Sequence, residues 1–143
     1  MKINLVTVGK PKLSYAKQGF EEYFTRFSRL HQVRHVAIAD KYAYDSDYIL
    51  DATKGTIRVV LEIKGTEFTS ENLAEFLVKR ELESREISFI IGGPEGLPQE
   101  VRDSADYQWS LGRLTLPHDL AMVVTLEALY RASTINTHLP YHK

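Results

Sequence analysis

Gly92-Gly93-Pro94-Glu95-Gly96 is the run in this chain best suited to holding a ligand. It follows the nearly continuous apolar stretch Ile87-Ser88-Phe89-Ile90-Ile91. Paired glycines let a ligand approach the backbone and leave N–H donors unshielded. The run is not G-x-G-x-x-G, and it lacks the Lys-Ser/Thr of a phosphate-binding loop. Its spacing fits a tight structural turn as well as a nucleotide-binding loop. A second run, Leu111-Gly112-Arg113-Leu114-Thr115-Leu116-Pro117-His118, is unusually apolar for a loop. Such a loop can wall a flat pocket for an adenine ring, with backbone groups reading the ring's edge. It can equally tuck into the core or under a second copy.

The histidines raise a metal question. His31 and His35 are four apart, as are His138 and His142. Pro140 breaks any helix between the second pair, so their faces need not align. There is no cysteine and no H-E-x-x-H, so no metal site is expected. No G-x-S-x-G occurs, which leaves serine-hydrolase chemistry without support. The C-terminus, Tyr141-His142-Lys143, offers a stacking ring, an imidazole and a cation, with no acid after Glu127. Aromatic rings beside cations hold single-stranded or flipped bases. The alternative is a frayed tail.

The elements that would position these groups alternate. Residues 2–8 read as a strand closed at Gly9-Lys10-Pro11. Leu13, Ala16, Phe20, Tyr23, Phe24, Phe27 and Leu30 recur at helical spacing, which predicts an amphipathic helix over 13–29. A second strand follows at 33–38, then a polar stretch with one short helix before Gly55, then a β-branched strand at 57–63. Ser70 is the expected N-cap of a helix running to about Ser84. Residues 87–91 have the apolar character of a central strand. A short helix starts near Pro98, a short strand spans 107–111, and a last helix capped by Asp119 runs to about Ile135. Strands alternating with helices imply an α/β fold: a mainly parallel sheet with helices on both faces. Ligands of such sheets bind beyond the strands' carboxyl ends. That places the site at the loops after Leu61-Glu62-Ile63, Ile91-Gly92-Gly93 and Leu111-Gly112-Arg113.

With 143 residues and no linker or repeat, a single domain over 1–143 is expected. Apolar residues make up 43% and charged residues 26%, as in a folded globular chain rather than a disordered or fibrous one. No apolar run is long enough for a membrane span, and Met1-Lys2-Ile3-Asn4 opens no signal peptide. A cytoplasmic location is expected. The net charge of −1 argues by itself against nucleic acid, but it is unevenly spread. Residues 1–35 carry +5, residues 36–127 carry −8 and residues 128–143 carry +2. Such asymmetry fits a partner-facing surface hidden by the average, or chance in a small domain.

Taken in order, these segments resemble one family. Leu5-Val6-Thr7-Val8-Gly9-Lys10, Gly19-Phe20-Glu21-Glu22-Tyr23, Ile90-Ile91-Gly92-Gly93-Pro94-Glu95-Gly96-Leu97 and Trp109-Ser110-Leu111 carry part of the resemblance. Leu114-Thr115-Leu116-Pro117-His118, Glu127-Ala128-Leu129-Tyr130-Arg131-Ala132 and Pro140-Tyr141-His142-Lys143 carry the rest. The chain resembles the ribosomal RNA large subunit methyltransferase H family, a small member of the SPOUT class. The resemblance implies a C-terminal trefoil knot, which sequence rules alone would never suggest. It implies S-adenosyl-L-methionine as methyl donor, a homodimer, and N3-methylation of a pseudouridine in 23S ribosomal RNA on the assembled ribosome. Neither a metal nor a membrane is implied.

The family's cofactor positions fall on Leu61, Gly92 and the stretch Leu111, Gly112, Arg113, Leu114, Thr115 and Leu116. Tyr141, His142 and Lys143 match the segment that holds the target base. His142, Arg131 and Glu127 match the catalytic region. His142 is the first candidate base and His118 the second. Arg131 or Lys143 would steady developing charge. Two departures stand out. Met122 occupies a position where the family often has Arg, a role Arg113 could take over. Residues 40–55 are shorter than the family's basic insert. Two other functions fit the residues: a non-catalytic dimeric ribosome-associated factor, and an RNA methyltransferase with a different target nucleotide.

Overall fold

The computed structural model describes all of residues 1–143. Five strands form one sheet: β1 (Lys2–Val8), β2 (Gln32–Ile38), β3 (Ile57–Glu67), β4 (Ile87–Ile91) and β5 (Tyr107–Ser110). Their order is β2-β1-β4-β3-β5, and every pairing is parallel. The helices are α1 (Ser14–Ser28), α2 (Ser46–Ala52), α3 (Ser70–Leu82), α4 (Gln99–Asp103) and α5 (His118–Asn136).

Which face each helix takes follows from the strand order. Parallel crossovers keep one hand, so steps in opposite directions across the sheet place their helices on opposite faces. The steps β1 to β2 and β3 to β4 go one way and carry α1 and α3. The steps β2 to β3 and β4 to β5 go the other way and carry α2 and α4. The core divides accordingly. Ile3, Leu5, Ile57, Val59, Ile87 and Phe89 pack with Phe20, Phe27, Leu73, Leu77, Met122, Leu126 and Leu129 of α1, α3 and α5. Val6, Val60 and Ile90 pack with Ile49 and Val101 of α2 and α4. β4 is buried along its whole length, whereas edge strand β2 alternates. Central parallel strands are covered on both faces and edge strands are not.

Three local expectations are corrected. β3 does not stop at Ile63 but runs to Glu67, with a bulge: both Leu61 and Thr66 pair with Trp109. Gly65 permits it, because a Cβ there would stand 2.7 Å from the Gln108 carbonyl. A glycine inside a strand commonly marks such a close approach. Thr69, not Ser70, caps α3, its hydroxyl accepting from Asn72 N at 3.0 Å. Asp119 does not cap α5, whose cap position is Pro117. Its carboxylate accepts instead from the backbone N–H groups of Lys12 and Leu13, at 2.8 and 2.7 Å. It therefore ties down the start of α1, where Leu13 has no capping side chain of its own.

The tail is ordered. α5 ends in a Schellman turn, with Leu139 N bonding Thr134 O at 3.0 Å and His138 N bonding Ile135 O at 3.4 Å. His138 sits at φ 58°, the left-handed position usually given to glycine. The turn sends Tyr141 back along α5.

Candidate active site

A cavity of about 720 Å³ opens where the three expected loops meet. Leu61 comes from β3, Gly92 and Leu97 from the turn after β4, and Leu111, Gly112, Leu114, Thr115 and Leu116 from the loop after β5. The strand ends bring them together because β3 lies between β4 and β5. Of the residues matched to cofactor positions, only Arg113 is not in the lining; it is exposed. The size suits a small organic ligand. Gly92 has no room for a side chain: a Cβ would fall 2.7 Å from the Gly96 carbonyl carbon and 2.9 Å from Leu97 N. The turn is folded on itself, so its glycine serves structure as well as access.

The cavity wall also holds Glu62, Glu95, Arg102 and His118. His118 bonds the Val8 carbonyl through Nε2 at 2.7 Å. A carbonyl only accepts, so Nε2 carries the hydrogen and Nδ1 is left as the ring's acceptor. Apolar walls, backbone groups and side chains of both signs fit S-adenosyl-L-methionine, which joins a flat base to a zwitterionic end and a sulfonium.

The tail residues gather elsewhere. Glu127 Oε1 accepts from Arg131 Nε at 2.9 Å, Arg131 Nη2 at 2.6 Å and the Tyr141 hydroxyl at 3.0 Å. Tyr141 spends its one hydrogen on that carboxylate. Tyr23 of α1, 3.1 Å away, is therefore the donor to Tyr141. The Tyr141 ring packs edge-on against Tyr130 at 4.8 Å and lies under the Arg131 guanidinium at 4.8 Å. Burial first, then the bonds to Tyr23 and Glu127, push the Tyr141 phenol well above its ordinary range. It stays protonated as a donor. The bond to Glu127 raises Arg131 further.

His142 lies beyond, its Nδ1 3.4 Å from Arg131 Nη1 and its Nε2 3.0 Å from Glu71 Oε1. Arg131 only donates, so Nδ1 accepts and Nε2 donates. Glu71 sits below the usual carboxylate range, held there by its own backbone N–H and then by His142. Lys143 is exposed.

Glu127, Arg131, Tyr141 and His142 thus form one cluster, Lys143 follows it in the chain, and none of the five lines the cavity. Glu127 lies nine residues along α5 from His118, about 13 Å at 1.5 Å per residue. Met122, on α5 between them, is fully buried in the core and faces no ligand. The other histidines are structural. His31 bonds Ser133 Oγ at 2.9 Å, and His35 bonds Thr7 Oγ1 at 2.8 Å. No three His, Asp or Glu side chains gather as a metal site, and no helix is long and apolar enough to cross a membrane. Sequence reasoning missed Glu62 and Arg102 in the cavity, and Tyr23, Tyr130 and Glu71 around the tail. Glu62 adjoins Leu61 and was within reach. Nothing in the sequence pairs Glu71 with His142.

Comparison with known proteins shows the family. A family profile described as "Predicted SPOUT methyltransferase" matches residues 1–142. The ribosomal RNA large subunit methyltransferase H of Deinococcus radiodurans is 45% identical over 145 residues, covering 100% of this chain and 99% of its own. The Deinococcus deserti protein of that name is 44% identical, covering 100% of both. The Acinetobacter baumannii protein is 35% identical over 158 residues, covering 100% of this chain and 99% of its own. Among solved structures, a probable methylase family protein from Haemophilus influenzae superimposes with a TM-score of 0.59 at 12% identity, over 99% of this chain and 70% of that one. The tRNA (m1G37) methyltransferase of Aquifex aeolicus gives 0.56 at 16% identity, over 91% and 69%. At such identities these two speak for the fold. By the profile and the relatives, the chain belongs to the ribosomal RNA large subunit methyltransferase H family of SPOUT methyltransferases.

Proposed function

We propose that this chain is an S-adenosyl-L-methionine-dependent methyltransferase that methylates N3 of a pseudouridine in 23S ribosomal RNA. It acts as a cytoplasmic homodimer on the assembled ribosome, with its C-terminal loops threaded as a trefoil knot. The observation that carries the reading is the cavity. It is lined by Leu61, Gly92, Leu111, Gly112, Leu114, Thr115 and Leu116, positions that the resemblance matches to the methyl donor. When bound there, S-adenosyl-L-methionine supplies an electrophilic methyl group on its sulfonium.

The chain's own residues then bind and orient. The apolar loop Leu111–Leu116 and the turn at Gly92 wall the nucleoside and exclude water. Tyr141 presents a ring, His142 a hydrogen-bonding edge and Lys143 a cation for the target nucleotide. The imide at N3 must lose its proton. Two histidines are the candidates for that. His118 lines the cavity with Nδ1 as acceptor. His142 stands in the tail, braced by Arg131 and Glu71. Arg131, neutralised by Glu127, steadies charge or a backbone phosphate.

Cavity and tail share no residue in one chain, which supports a reading in which a second copy brings its tail to this cavity. The small net charge favours shape recognition of an assembled particle over grip on free RNA, since each phosphate contact adds affinity and salt dependence.

The test is methyl transfer from labelled S-adenosyl-L-methionine, with intact ribosomes, separate large subunits and free 23S RNA compared, and the modified position mapped. Transfer to N3 of one pseudouridine, on assembled ribosomes, is expected. Transfer to another nucleotide would assign a different target. Ribosome binding with no transfer would make the chain a non-catalytic factor.

A further inference from the structure

The cavity has a charged side as well as an apolar one. Arg102 of α4 is the only lysine or arginine in its lining, and Glu62 stands beside it where β3 bulges. The guanidinium is poorly satisfied. Nη2 donates to Gln99 Oε1 at 2.8 Å. Glu62 Oε2 is 3.8 Å from Nη1, close enough to attract but too far for a hydrogen bond. Nε is buried with no partner at all. A guanidinium presents five donors in a planar fork shaped for a carboxylate. A buried donor left without an acceptor is costly, and such a group in a folded protein calls for an explanation. Glu62 likewise lacks a close partner. Each of the two therefore has capacity to spare, with opposite sign, on one wall of one cavity.

We infer that Arg102 and Glu62 form a clamp for an α-amino-acid zwitterion. Arg102 takes the α-carboxylate on the Nη1 and Nη2 edge of its fork, which holds only one hydrogen bond of its own. Glu62 takes the α-ammonium next to it. The two side chains loosen their mutual pairing and each gains a closer one. The inference rests on the cavity being the S-adenosyl-L-methionine site and assigns the end of the ligand that the loops after β4 and β5 do not serve. Those loops supply apolar surface and backbone groups, which suit the nucleoside. Neither places a lysine or arginine in the lining.

Calorimetry on the full-length protein tests it with three ligands. S-adenosyl-L-methionine carries the zwitterion, and S-adenosyl-L-homocysteine, run beside it, carries the same zwitterion on a neutral thioether and should respond alike; 5′-methylthioadenosine keeps the nucleoside and a thioether and lacks the zwitterion. Arg102→Met should weaken S-adenosyl-L-methionine tenfold or more, the scale of a charged hydrogen bond, and leave methylthioadenosine within about twofold of wild type. Arg102→Lys, which keeps the charge and loses the fork, should fall between. Glu62→Gln should weaken S-adenosyl-L-methionine alone. Undiminished methylthioadenosine binding shows that the variants are folded. Equal loss of both kinds of ligand, or loss of neither, overturns the clamp. So does a loss confined to ribosome binding, which would make Arg102 a phosphate contact. If wild type binds none of the three, the cofactor reading itself fails and takes the clamp with it.

Discussion

The Tyr141 hydroxyl donates to Glu127 Oε1 at 3.0 Å and thereby fastens the C-terminal tail to the middle of α5. The same oxygen holds Arg131 through two nitrogens, so one carboxylate fixes both the tail and the cation beside it. Tyr141→Phe keeps the ring against Tyr130 and Arg131 and removes only the hydroxyl. It should cost about 1 kcal/mol in urea denaturation and speed carboxypeptidase trimming of the last residues. Glu127→Gln should cost more, about 2 kcal/mol, because Arg131 loses its counter-charge in a half-buried place. If trimming is as slow in both variants as in wild type, the tail is held by something else.

His138 should be replaceable with profit to stability. It takes the left-handed position of the Schellman turn at φ 58°, where a side chain costs about 1–2 kcal/mol. Part of that returns as the greater freedom glycine has when unfolded. His138→Gly should therefore stabilise by roughly 0.5–1 kcal/mol in urea. Methyl transfer should be unchanged, since His138 serves the turn and bonds no tail residue.

The sequence made the alternation of elements legible because its apolar positions are regular. Phe20 and Phe27 repeat at helical spacing and are buried; Ile87 to Ile91 read as a central strand and lie between β1 and β3. The cavity was legible for the same reason. Once the sheet is parallel, three loops must open at one end of it. What could not be read was pairing at a distance. Asp119 looks like a cap for its own helix, and only the packing of α5 on α1 shows it serving Lys12 and Leu13. Glu62 and Lys64-Gly65 look like the end of a strand, and only the neighbouring β5 shows that they form a bulge. Tyr23 and Tyr141 are 118 residues apart, a separation no local pattern spans.

Acid should weaken the fold through two half-buried histidines. Burial lowers His31 below its ordinary value, with the N-terminal charge adding to it, and burial then Lys10 do the same to His35. In the window below about pH 6.5 the unfolded chain takes up protons that the native chain refuses, so stability falls with pH. It is fully present above that window. The slope should approach but not exceed about 1.4 kcal/mol per pH unit for each histidine. His31→Asn or His35→Gln should flatten the profile of urea midpoint against pH. A profile in wild type that is already flat between pH 5 and 7 would count against both assignments.

Two glycines of the turn after β4 should respond differently to alanine. At Gly92 the new methyl meets the backbone of Gly96 and Leu97 at 2.7 and 2.9 Å, so the turn itself has to open. At Gly96 there is free space, and only the φ of 84° resists. Gly96→Ala should cost about 1–2 kcal/mol and keep ligand affinity. Gly92→Ala should cost more in stability and also weaken S-adenosyl-L-methionine: all three of Gly92, Gly96 and Leu97 line the cavity, but only at Gly92 does the new methyl force the backbone of the turn to move. Equal effects on binding would mean that the turn's shape does not govern the site.

The separation of tail and cavity makes a demand on the dimer. If each active site takes its cavity from one copy and its tail from the other, two differently damaged chains can restore one site between them. Leu116→Trp fills the cavity and leaves the tail intact. A chain with Tyr141, His142 and Lys143 removed keeps the cavity and lacks the tail. Each variant alone should methylate ribosomes at background level. Unfolded and refolded together in equal amounts, half the dimers are mixed and each mixed dimer holds one complete site. The mixture should then regain roughly a quarter of wild-type activity. If the tail serves the cavity of its own chain, no mixed dimer contains an intact site, and the mixture stays at background. Native mass spectrometry of the same samples, which separates the mixed dimer from both parent dimers by mass, shows whether exchange took place and so separates failure to exchange from failure to complement.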